Sequence, residues 1–355
     1  MLSRPRHGGN LSWAARFASC PAGSLLDFSA SINPLGPPLA VLTAIEAAFT
    51  HLSHYPDPDY DQLRQAIALH HDIAPEWVLP GNGSAELLTL AGRTFASLDY
   101  THLVTPAFGD YGRSWRGTGA QLNQIPWTVG SPWPWHVLNP NANHKCGLIL
   151  NNPHNPSGTL LSRREVIQLL PAYQWVLLDE AFMDFLPPSE QQSLIADLLQ
   201  FPNLIILRSL TKFYSLPGLR IGYALAHPDL LTQWRHWRDP WPVNVLAEAA
   251  AIASVQATAF QAQTWQWLPR QRQVLFNQLH SLPGLTPLPS TANFLLVKTA
   301  CSATQLQQAL LKNARILIRD CLSFPELGDR FFRVAVRSEK DNQQLVTALQ
   351  QLLST

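Results

Sequence analysis

From residue 77 onward the chain alternates short apolar runs with turn residues and then with stretches of helical period. The runs are WVLP at 77–80, HLVTP at 102–106, CGLILNNP at 146–153, WVLLDEAF at 175–182, LIILRSLTK at 204–212 and LRIGYALA at 219–226. Runs that are apolar on both faces and separated by helices predict a mostly parallel sheet with helices on both faces. Two helical patterns come earlier. Over 38–52, Leu39, Leu42, Ile45, Phe49 and Leu52 recur on one face, with proline at the tolerated first turn, and over 59–71 Leu63, Ile67 and His70 repeat the period. Past residue 246 long helical stretches lead into NFLLVK, RILIRDC and FFRVAVR, and then a last helix carrying Leu345, Leu349 and Leu352. This pattern predicts a smaller α+β domain. The expected organisation is an N-terminal segment over 1–30, a large α/β domain over 31–245 and a small domain over 246–355. The Trp/Pro-rich SPWPW at 131–135 reads as an ordered loop.

Length agrees with this division, since 355 residues suit two domains at roughly 150 residues each. Lys+Arg number 25 against 24 Asp+Glu, a net charge of +1, so nothing advertises nucleic acid or an anionic membrane. The four cysteines, Cys20, Cys146, Cys301 and Cys321, form no CxxC spacing. They suggest a reduced, cytoplasmic setting and neither a disulfide framework nor a zinc ribbon. No apolar run approaches the ~20 residues of a membrane span. Arg4, Arg6 and Arg16, with no acid among the first 26 residues, are open to reading as a transit peptide; the chemistry below assigns this stretch other work. His51, His54, His70 and His71 lack carboxylate or cysteine partners at ligand spacing, so no metal site is expected.

Ligands of such sheets gather at the carboxyl ends of the strands, and the polar residues there follow a telling order. GNGSAE at 81–86 puts small residues before a helix, where backbone N–H groups can cradle a phosphate. Phe108, in TPAFGDYG, follows a strand and can stack on a flat ring, although taken alone it reads as a core residue. NNPHNPSG fixes a turn that aims Asn155 across the strand ends. Asp179 ends an apolar run, where a carboxylate needs a partner, either an arginine or a protonated ring nitrogen. Lys212 follows LIIL among Ser209, Thr211 and Arg220. A desolvated lysine can form a Schiff base while its neighbours hold an anion. Taken singly each has an ordinary structural reading; the combination does not.

In this order the motifs resemble the fold type I pyridoxal-phosphate enzymes of the aspartate aminotransferase superfamily, within it the histidinol-phosphate aminotransferase branch, over essentially the whole chain. The resemblance implies pyridoxal 5′-phosphate as cofactor. It makes Lys212 the lysine that carries the cofactor and shuttles protons, and Asp179 the partner of the ring nitrogen, which keeps the ring an electron sink. It has Phe108 stack on the ring and Asn155 bond its 3-oxygen. Ser84, Ala85, Ser209, Thr211 and Arg220 then hold the phosphate. Tyr55, in HYPD, reaches that phosphate from the other subunit of a homodimer. The branch carries DEAY where this chain has DEAF, with Phe182.

HGGNLSWAARF at 7–17 and LLDFSASINPLGPP at 25–38, with DEAF and the ILIR and RVAVRS segments, are similar to the threonine-phosphate decarboxylase family. That family turns O-phospho-L-threonine into (R)-1-amino-2-propanol phosphate for cobalamin. The likeness implies that His7, Gly8, Ser31, Asn155, Arg319 and Arg337 meet the substrate, with Ser31 standing where the family has asparagine. A phosphate of about −1.5 to −2 and a carboxylate would use two guanidiniums well. Two other readings stay open: an aminotransferase acting on histidinol phosphate, which shares every cofactor residue, and a non-enzymatic regulator built on this fold.

Overall fold

A computed structural model describes Pro5, residues 7–140 and residues 143–354 of the chain; Arg4 and Arg6 lie outside the described residues. Its centre is a seven-stranded sheet. The strands are Val78–Gly81 (β1), Tyr100–Thr105 (β2), Leu122–Pro126 (β3), Cys146–Asn151 (β4), Trp175–Asp179 (β5), Leu204–Ser209 (β6) and Gly222–Leu225 (β7). They stand in the order β1-β7-β6-β5-β4-β2-β3. Only β7 runs antiparallel to its neighbours, so the mostly parallel sheet expected from the alternating pattern is present. Strand β3 was not foreseen. Its LNQIP pairs with β2 along one edge of the sheet, and half-exposed edge residues carry no continuous apolar run.

The central strands are buried on both faces, with alternate residues serving opposite layers. Val176 and Leu178 join the core shared with Leu150 and Ile206, while Leu177 joins the one holding Ile149 and Ile205. A buried ion triad ties the ends of β5 and β6. Arg208 pairs with Glu180 at 2.8 Å and with Asp184, and donates to Ser193 Oγ at 3.1 Å. Paired this way, a fully buried guanidinium is tolerable.

A second, antiparallel sheet comprises Leu285–Pro287 (β8), Phe294–Thr299 (β9), Arg319–Asp320 (β10) and Phe331–Ala335 (β11), in the order β10-β11-β9-β8. The N-terminal segment joins this sheet's surroundings: Leu26–Asp27 pairs in parallel with Ile316–Leu317, and Ala335 donates to the Phe28 carbonyl at 2.9 Å.

One helical reading is corrected. Helix Leu39–Ala48 and the turn after it form, but Leu39, Leu42, Phe49 and Leu52 face outward, 79%, 46%, 53% and 62% exposed, while Val41 and Ala48 are buried. The helix is apolar nearly all round, so periodicity alone did not separate its inner from its outer stripe. With Tyr55, whose ring lies 4.6 Å from that of Trp241, these residues leave an exposed apolar surface on the molecule. Among the described residues no single helix is long and apolar enough to cross a membrane; one adjoining pair, bent by 70°, passes that test by length and composition together.

Because Leu178 is fully buried between Leu150 and Ile206, Leu178→Ala is expected to destabilise the protein by about 2–5 kcal/mol. Denaturant unfolding checks this as a lower midpoint at unchanged slope.

Candidate active site

The carboxyl ends of β4, β5 and β6 open into a cavity of about 570 Å³ whose lining includes Ser84, Phe108, Asn155, Asp179, Ser209, Lys212 and Arg220. Lys212 sits on the single helical turn Leu210–Phe213 that follows β6. Its Nζ donates to Thr211 Oγ1 at 3.1 Å. Burial first, then the guanidiniums of Arg220 and Arg333, pull its pKa down to about 8, while Asp179 opposes them. An amine poised so close to neutrality is a ready nucleophile toward an aldehyde.

Asp179 terminates β5 and is buried. Its Oδ2 accepts from the Tyr111 hydroxyl at 2.6 Å and its Oδ1 from the Ala181 N–H at 3.0 Å. Burial raises its pKa, and both hydrogen bonds and Lys212 offset part of that rise.

Across the cavity, helix Ser84–Phe95 points its N-terminus inward. Gly83 precedes it at φ +71°, and a Cβ there would meet Arg220 Nη2 at 2.6 Å. Gly222 is similarly confined, with a Cβ 2.7 Å from the Arg208 carbonyl and 3.0 Å from Ser84 N. These glycines let the guanidinium, the helix end and the strand converge. Ser209 and Thr211 share a hydroxyl hydrogen bond of 2.8 Å beside them. Ala85 follows Ser84 on the same first turn. Unpaired N–H groups, hydroxyls and a guanidinium make a receptor for a phosphate dianion.

The opposite wall belongs to the small sheet, and here the arginine expectation changes. β10 and β11 place Arg319 directly opposite Arg333, and both line the cavity. Arg337 lies beyond the end of β11. It donates to the Asp27 carbonyl at 3.1 Å and pairs with Asp341 at 3.1 Å, so its charge is spent on chain packing. Arg333, which the sequence reading passed over, donates to Asn155 Oδ1 and lies over the Phe294 ring at 4.7 Å. Burial and the charge of Arg319 hold its pKa at about 10. Arg319 donates to Ser323 Oγ at 2.6 Å and to the Pro5 carbonyl at 3.5 Å. Arg333 and Arg337 share side-chain parity in FFRVAVR, and Arg337 lies past the end of the strand; register was the missing information.

The N-terminal segment closes the cavity's rim. Gly8 presses on Ser29, where a Cβ would fall 2.1 Å from the carbonyl oxygen, and the Gly9 N–H donates to Ser29 Oγ at 2.8 Å. His7 lies 3.6 Å from Asp110 and 6.0 Å, ring to ring, from Phe108. Ser31 is buried on the lining, and its hydroxyl has no hydrogen-bond partner among the described residues. Tyr55 is 79% exposed and borders a different groove, of about 840 Å³, beside Ala249 and Ile252.

An amine near neutrality, a buried carboxylate and a phosphate cradle that side chains at 83 and 222 would obstruct fit one group, a pyridine aldehyde bearing a phosphate. The chain belongs to the aminotransferase class I and II family, whose model matches residues 24–349, and its cofactor is pyridoxal 5′-phosphate. It is 38% identical to the threonine-phosphate decarboxylase of Salmonella typhimurium, covering 99% of this chain and 98% of that protein. It is 30% identical to histidinol-phosphate aminotransferase 2 of Nitrosospira multiformis, covering 100% of this chain and 90% of that one. Among solved structures it resembles the L-threonine-O-3-phosphate decarboxylase of Porphyromonas gingivalis, with a TM-score of 0.83 and 26% identity over 93% of this chain and 100% of that chain.

The cofactor-free protein is expected to capture pyridoxal phosphate faster as pH rises, with a midpoint near 8 set by the neutral fraction of Lys212. Stopped-flow absorbance between pH of about 7 and 9 reads this directly. Lys212→Ala should abolish the covalent band at every pH.

Proposed function

We propose that this protein is a cytoplasmic decarboxylase of O-phospho-L-threonine that releases carbon dioxide and leaves (R)-1-amino-2-propanol phosphate for the corrinoid nucleotide loop. The observation that carries the reading is the cross-strand pair Arg319 and Arg333 facing Lys212 across one cavity. Two buried guanidiniums match a small substrate with a phosphate at one end and a carboxylate at the other. The 38% identity to a threonine-phosphate decarboxylase over nearly the whole chain agrees with it.

In this reading Ser84, Ala85, Ser209, Thr211 and Arg220 hold the cofactor phosphate. Asp179 pairs with the ring nitrogen, Phe108 stacks on the ring and Asn155 meets its 3-oxygen. When bound, the cofactor would supply an electron sink for the pair left behind as the carboxylate departs. The protein's share is positional. The arginines fix the substrate so that its carboxylate, and not its α-hydrogen, is the group set to leave. Lys212 then returns a proton to the α-carbon, a task suited to an amine with a pKa near 8. His7, Gly8 and Ser31 cover the substrate and exclude water, and Phe182, buried against Phe294 at 5.1 Å, offers no hydroxyl to the ring. The large domain over 31–245 and the small domain over 246–355 supply the two walls. A second copy packs on the exposed apolar surface and brings Tyr55 to its neighbour's cofactor phosphate.

The deciding assay offers purified enzyme phosphothreonine alone, and separately histidinol phosphate with 2-oxoglutarate. Carbon dioxide from the first without any 2-oxo acid is the expected result; glutamate from the second would make the protein an aminotransferase instead. Among variants, Arg333→Gln should raise KM for phosphothreonine by about 10- to 100-fold, whereas Arg337→Gln should leave KM within about twofold and act on stability alone.

A further inference from the structure

The proposed reaction leaves Tyr111 without a role, yet its hydroxyl makes the shortest side-chain contact to Asp179. It rises from the first turn of helix Gly109–Thr118, is fully buried, and meets Phe108 edge-on at 5.7 Å. Its hydroxyl donates to Asp179 Oδ2 at 2.6 Å while the Ala181 N–H holds Oδ1 at 3.0 Å. Both carboxylate oxygens are therefore fixed, by donors from two different elements.

We propose that Tyr111 is a positioning residue that keeps Asp179 ionised and turned toward the cofactor ring, so that the ring nitrogen retains its proton. This rests on the pyridoxal-phosphate assignment and not on the identity of the substrate. A buried carboxylate tends to take up a proton, and a hydrogen bond donated to its charged form counters that tendency. The other charged groups facing this pair are Lys212, which favours the carboxylate, and Asp110, which acts on the phenol. Without the phenol hydroxyl Asp179 becomes the stronger base, and the proton it shares with the ring nitrogen passes to the acid. The ring then withdraws electrons less well.

The test uses holoenzyme reconstituted with cofactor carrying ¹⁵N at the ring nitrogen, read by NMR at neutral pH without substrate. Wild type should show the protonated-ring position. Tyr111→Phe, which keeps the ring packed on Phe108, should move the resonance toward the position seen in Asp179→Asn. It should also lower kcat on phosphothreonine about tenfold with KM within about twofold. A resonance that stays at the wild-type position overturns the proposal. If Tyr111→Phe does not retain cofactor, the cofactor-free form decides. The ¹³C carboxyl signal of Asp179, assigned by its loss in Asp179→Asn, should titrate at higher pH in Tyr111→Phe than in wild type, and an unchanged midpoint overturns the proposal. Failure of wild type to decarboxylate phosphothreonine would remove the substrate reading and leave both spectroscopic outcomes in force.

Discussion

A lysine amine buried among guanidiniums cannot hold its proton as it would in water, and the surrounding structure is arranged around that displacement. Arg220 and Arg333 approach Lys212 from opposite walls, and each depresses its pKa beyond what burial does; Asp179 restrains the shift. The sheet makes this possible by ending β5 and β6 side by side, so that carboxylate and amine share one opening. The Glu180–Arg208–Asp184 triad fixes those two strand ends from behind. It pairs its charges away from the cavity lining and leaves the front of the cavity to the groups that need an imbalance.

The two arginine populations of the site therefore differ in kind. Arg208 is paired with acids; Arg333 is held instead by an asparagine amide oxygen and an aromatic face. A guanidinium steadied by neutral groups keeps its charge available to an incoming anion.

Much of this was legible in the sequence because the informative residues terminate apolar runs, and strand ends are where such sheets bind ligands. Lys212, Asp179, Asn155, Ser84 and Phe108 all line the cavity for that reason. What was not legible depended on register or on orientation. Arg333 and Arg337 have equal parity in FFRVAVR, and only the pairing of Arg319 with Arg333 distinguishes them. Leu39, Leu42, Phe49 and Leu52 have helical spacing whichever way the helix turns, and neighbours fixed the answer. Tyr111 is one aromatic in a short helix until folding carries Asp179 to it, across 68 positions of sequence.

The parallel pairing of Leu26–Asp27 with Ile316–Leu317 makes the cover and the arginine wall one mechanical body. Phe28 extends the bond network, accepting from Ala335 just past Arg333 and donating to Leu317 just before Arg319. Whatever shifts the small sheet must carry the His7 segment with it. The cover over the cavity and the charges that line it are thereby held to one frame.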